Sequence, residues 1–69
     1  MLPGTEIRGE RLFEMPLGTY LRQASGTPIG RILDYPSEAE EGGSKVVILN
    51  PEGKRVVLRY WANHVFRVE

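Results

Sequence analysis

The chain has no cysteine and, in 69 residues, only one histidine, one aspartate and one tryptophan. Without cysteine there is no disulfide and no thiolate metal site, which suits a reducing compartment. One histidine cannot supply a zinc ligand set. No apolar run approaches the ~20 residues that span a bilayer. The opening Met1-Leu2-Pro3-Gly4-Thr5-Glu6 has neither the basic end nor the apolar stretch of a signal peptide. The expected location is cytoplasmic, with no membrane partner. Net charge is also missing, because nine basic side chains cancel nine acidic ones. A neutral chain gains little from long-range attraction to a polyanion.

Catalytic motifs are equally scarce. Ser25, Ser37 or Ser44 with His64 and Asp34 would make up the count of a triad, but no Gly-x-Ser-x-Gly elbow is present. Glu40 and Glu41 are adjacent on a loop and are not set across a common substrate. The stretch Asp34 to Gly43 holds several hard oxygen ligands without the spacing of a calcium hand. Neither Gly-x-Gly-x-x-Gly nor a phosphate-binding loop occurs. We therefore expect no catalytic residues, no cofactor and no metal, and the reading leans away from an enzyme.

What the chain does have is punctuation. Eight glycines and five prolines cut it into segments of alternating, β-branched and aromatic character. No segment keeps an i, i+3, i+4 apolar pattern over about eleven residues, so no long helix is expected. Short strands at this spacing predict a sandwich or barrel. The clearest unit is a hairpin: Lys45 to Leu49, a turn at Asn50-Pro51-Glu52-Gly53, and a return strand Arg55 to Trp61. In the return strand Val56, Leu58 and Tyr60 point one way, and Arg55, Val57, Arg59 and Trp61 the other. The charged set must be the wetter face. Ile29 to Tyr35 reads as a strand with a bulge or close approach at Gly30, and Thr19 to Gln23 as the strand before it. Thr5 to Phe13 reads as extended, kinked at Gly9. The acidic loop Pro36 to Ser44 is expected to be the most mobile segment. Ala62-Asn63-His64 has room for one helical turn before a last strand, Val65 to Val68.

Together these predict one all-β domain over 1–69. It is a small SH3-like barrel of five to six short antiparallel strands, with one short helical turn before the last. Residues 1–14 are either its first strand or a loosely attached arm.

Two stretches carry family resemblances. Gly18-Thr19-Tyr20-Leu21-Arg22 followed by Gly30-Arg31-Ile32-Leu33 resembles the opening of SH3-like barrels such as the PRC-barrel family and the KOW-type modules. Val57-Leu58-Arg59-Tyr60, with Val68 eight residues on, is similar in spacing to the closing segment of the plasmid-encoded type II dihydrofolate reductases. That resemblance implies a tetramer around a pore. Leu58 stands where that family has Gln, so the amide that would meet cofactor or substrate is absent.

One surface is a candidate for binding: Val57, Arg59 and Trp61 on one face, with His64 in the following turn and Arg67 on the last strand. Trp and Arg are enriched at binding hot spots, and both stack on bases. Against this, Trp61 can curl over an open barrel end as a core residue. His64 can simply cap its turn, and Arg59 and Arg67 can be plain solvated charge. From Lys45 to Arg67 the bases Lys45, Lys54, Arg55, Arg59 and Arg67 face one acid, Glu52, while Asp34, Glu38, Glu40 and Glu41 form an acidic block. The leading expectation is a non-enzymatic binding or adaptor module engaging a protein partner or a second copy of itself. The alternatives are a nucleic-acid-binding barrel using the Trp/Arg face and an oligomeric reductase.

Overall fold

The computed structural model describes residues 4–69. The first three residues of the expected arm lie outside the described residues. Among the described residues the strands are β1 (Thr5–Arg8), β2 (Tyr20–Gln23), β3 (Pro28–Ile32), β4 (Ser37–Glu38), β5 (Ser44–Leu49), β6 (Arg55–Tyr60) and β7 (Val65–Val68). All pairings are antiparallel, and they run β1-β7-β2-β3-β5-β6. β4 lies against the first residues of β5, on the same edge that β3 occupies further along. The result is a curled half-barrel sheet, the architecture of a small all-β barrel.

Strands β2, β3, β5, β6 and β7 each turn one face to the interior, and β1 adds the partly buried Ile7. Leu21, Ile32, Val46, Ile48, Tyr60 and Phe66 are buried, and Leu12 closes the end of the core. Tyr60 meets Phe66 edge to face, with ring centroids 5.6 Å apart. This contact joins β6 to β7 across the interior, where no backbone pairing links the two strands.

The β5–β6 hairpin forms as its turn chemistry dictates. Asn50 N–H donates to Lys54 O and Gly53 N–H to Asn50 O. The Asn50 side-chain oxygen accepts from the Glu52 and Lys54 amides, and Gly53 takes a φ of 83°. This is a three-residue loop closed by a glycine bulge, the usual partner of a type I turn.

Four expectations need correction. Among the described residues seven strands form rather than five or six, because Ser37–Glu38 pairs with β5 inside the acidic loop. Residues Gly9–Glu14 form a 3₁₀ helix rather than extended chain. Gly9 does turn the chain: its N–H donates to His64 O, and Glu10 N–H donates to Ala62 O. The following turn then drives Leu12 into the core. Before β7, the chain makes one hydrogen-bonded turn, His64 N–H to Trp61 O, and no helix. The strand expected over Ile29–Tyr35 ends at Ile32. Leu33 still donates to Val47 O, but Asp34 Oδ1 then accepts from the Tyr35 amide and bends the chain away.

Candidate functional site

β6 alternates as its sequence requires. Tyr60 is buried and Leu58 half-buried on the inner face, and Val56 at the hairpin end is 37% exposed. Among the described residues β6 has no strand on its far side, the side to which this flank of Val56 is open. On the outer face Val57 is 61% exposed and Trp61 56%. Trp61 is therefore a surface residue, and Tyr60 fills the core position at this end of the strand.

Trp61 is nonetheless held. Its ring lies against the backbone of Gly42 and Gly43, where an added Cβ would come within 3.2 Å of the indole at either position. The Arg59 guanidinium sits 5.9 Å from the ring centroid. It also donates to Glu41 Oε2 at 2.9 Å and to Gly42 O at 3.2 Å. The acidic loop thus folds back onto the outer face of β6 and fixes both cation and indole. Beside them Val57, Arg59, Lys45, Ala39, Glu40 and Glu41 line a shallow cleft of about 340 Å³. A larger open cleft, about 460 Å³, runs along β1 past Arg8, Arg11 and Met15, and holds no member of this strip.

His64 and Arg67 lie elsewhere. The His64 ring stacks on Phe66 with centroids 4.3 Å apart and planes 2° from parallel, so it caps the core. Arg67 projects from β7 between β1 and β2, donating to Gly4 O at 2.9 Å, with Glu6 3.8 Å away. It is in register with Arg22, whose guanidinium lies 5.2 Å from the Tyr20 ring centroid; that of Arg31 lies at 5.4 Å. This second aromatic–cationic patch was readable in the alternation of Tyr20-Leu21-Arg22 and Gly30-Arg31-Ile32. Only the sheet order brings Arg67 to it.

Burial raises the pKa of the Tyr60 phenol above its ordinary 10.0, with a hydrogen bond to Ser44 pulling the other way. The folded state then holds the phenolic proton more tightly than the unfolded chain. The stability this contributes is fully present below pH 10.0 and is lost as pH rises through the raised value. Tyr60→Phe should shrink the fall in urea midpoint between pH 9 and pH 11 (roughly one unit either side of the ordinary tyrosine pKa). An unchanged slope would mean that this phenol titrates alike in both states.

Among the described residues no three His, Asp or Glu side chains converge on a metal position. No helix among them is long and apolar enough to cross a membrane. Comparison of the chain with family models, curated proteins and solved structures finds no match.

Proposed function

We propose that this barrel is a non-enzymatic binding module whose outward strip, Val57, Arg59 and Trp61, engages a protein partner. The observation that carries this reading is the state of Trp61: more than half exposed, yet fixed over Gly42 and Gly43 and beside Arg59. An indole held in place before binding loses little rotamer freedom on docking, and Trp and Arg are both enriched at hot spots. The absence of cysteine suits a cytoplasmic setting for such a module.

Trp61→Ala should lower stability by only about 1 kcal/mol or less, the range of an exposed substitution. In retention experiments from cell extract, it and Arg59→Glu should each remove most of the protein held by immobilised wild type. Equal retention by all three proteins would defeat the reading, and so would unfolding by Trp61→Ala.

A second reading, nucleic-acid binding, is favoured by the two aromatic–cationic groupings, Arg59 with Trp61 and Arg22 and Arg31 around Tyr20. Stacking on such groups is sequence-tolerant. It predicts oligonucleotide affinity that falls steeply between 50 and 200 mM salt, at about 0.7 log units per log salt for each single-strand phosphate engaged. A flat salt response would remove it.

A further inference from the structure

The hydrogen-bond alternation along the β5–β6 hairpin has a consequence for the far edge of β6. Asn50 donates to Lys54 O, so Asn50 and Lys54 are a bonded pair. In an antiparallel ladder bonded and non-bonded pairs alternate. Ile48–Val56, Val46–Leu58 and Ser44–Tyr60 are then the bonded pairs, and the N–H and C=O of Arg55, Val57 and Arg59 point away from β5. The other edge of β5 agrees with this phase, since Val47 O accepts from Leu33. No hydrogen bond among the described residues reaches the backbone groups of Arg55, Val57 or Arg59 on that outer edge. The edge runs from Arg55 to Arg59, roughly 14 Å at the usual rise of a strand.

Its side chains select what fits. Among the described residues Arg55 has no ion pair, and neither have Lys54, next to it in the turn, and Lys45, which is in register with Arg59. Arg59 already takes a carboxylate, that of Glu41. On the inner face the exposed flank of Val56 and the half-buried Leu58 ask for apolar cover. A second copy paired through this edge, centred on Val57, would set Arg55 of one copy opposite Arg59 of the other. Like charges directly opposite are unfavourable.

The geometry points to β6 as a docking edge for an extended acidic segment of a partner protein. That segment adds as a strand beside β6, with carboxylates opposite Arg55 and Arg59 and apolar residues opposite Val56 and Leu58. Backbone hydrogen bonds to Arg55, Val57 and Arg59 supply affinity, and the alternate side chains supply selectivity. This rests on the protein-binding reading above and names the partner's chemistry. The same cations keep identical edges apart, a common protection for an unpaired strand.

The test is an amide NMR titration of the whole chain with the capped peptide Thr-Glu-Val-Thr-Val-Glu-Thr. Its sequence reads alike in both directions, so strand polarity does not matter. The amides of Arg55, Val57 and Arg59 should shift and gain protection from hydrogen exchange. Those of Val56, Leu58 and Tyr60, already paired to β5, should be protected from the start. Replacing Glu by Lys in the peptide should weaken binding roughly tenfold, the size expected for two cross-strand charge pairs. The double variant Arg55→Glu/Arg59→Glu should reverse that preference. If that variant fails to fold, N-methylation of the peptide's central Thr and both Val residues, which removes N–H groups used in either strand polarity, should abolish binding to the unaltered protein.

Three results overturn the proposal. The first is concentration-dependent protection of Arg55, Val57 and Arg59 in the free protein, which assigns the edge to a second copy. The second is an equal response of these amides to oligothymidine. The third is a spectrum in which they do not move at millimolar peptide. If the Trp61 indole shifts while the edge amides stay still, edge docking fails and the strip remains a binding surface.

Discussion

Gly30→Ala is expected to unfold the protein or bring it close to unfolding. Gly30 lies in β3 with φ at 145°, where an L side chain is strained whatever the space. Space is also lacking. A Cβ at Gly30 would collide with the carbonyl oxygen of Leu49 and come within 2.9 Å of Asn50 Cα. These are backbone atoms of the end of β5 and of the residue after it, and no rotamer change relieves the clash. The neighbouring pairs Arg31–Leu49 and Ile32–Ile48 hold the two halves of the sheet together, so moving β5 away breaks the closure of the core. The backbone strain alone costs about 1–3 kcal/mol. A domain of this size has a total stability of roughly 3–10 kcal/mol. Gly53→Ala is the matched control, because Gly53 also has positive φ, at 83°, but nothing lies within 4 Å of the added Cβ. Urea unfolding of the two variants separates strain from collision. Equal losses would mean that β3 and β5 part easily at Gly30, and that the close approach is not structurally required.

The β5–β6 hairpin was legible in the sequence because its information is local. Pro51 and Gly53 set the turn, and strict alternation from Arg55 to Tyr60 sets the faces. Gly30 was legible as a close approach for the same reason: a glycine among β-branched residues has little other use. The 3₁₀ helix Gly9–Glu14 was not legible. Six residues give no helical period to detect, and the segment is helical because Leu12 must reach the core while Gly9 and Glu10 bond to the turn after β6. β4 is a two-residue strand of Ser and Glu, which have no strand propensity and take that conformation only because Lys45 and Ser44 offer partners.

The candidate strip divides along the same line. Val57 and Arg59 lie in β6 and Trp61 directly follows it, so counting by twos places the three together. The positions of His64 and Arg67 depend on how β7 inserts between β1 and β2, which no local pattern encodes. The charge blocks were visible in the sequence as an acidic loop and a basic tail, but not that the loop lies on the strand. Glu41 meets Arg59 at 2.9 Å, and the two blocks neutralise each other at the one place where an indole is exposed. The Glu41 side chain is 80% exposed, so this pair contributes little stability. Its effect is to orient Arg59, and a partner's carboxylate can take the place of Glu41 at small cost.

Phe66→Ala is the second substitution expected to cost more than the fold can bear. Phe66 is fully buried at the centre of β7, the strand that joins β1 to β2. One face of its ring stacks on His64, and it meets the Tyr60 ring edge to face. Truncation removes the largest fully buried side chain and both aromatic contacts at once. The outward neighbours Arg67 and Val65 cannot turn inward to fill the space, because a strand sends adjacent side chains to opposite faces. Phe→Ala in a packed core costs about 3–5 kcal/mol, comparable with the roughly 3–10 kcal/mol available to a chain of this length. The variant should show a collapsed spread of amide shifts, or a urea midpoint near zero. Phe66→Leu, which keeps most of the volume and loses the two ring contacts, should fold and lose a smaller part of the stability. A loss below about 1 kcal/mol for Phe66→Ala would mean that the neighbouring side chains collapse into the space. The barrel would then rest on the β5–β6 hairpin and its partners β3 and β4, with β7 a dispensable closing strand.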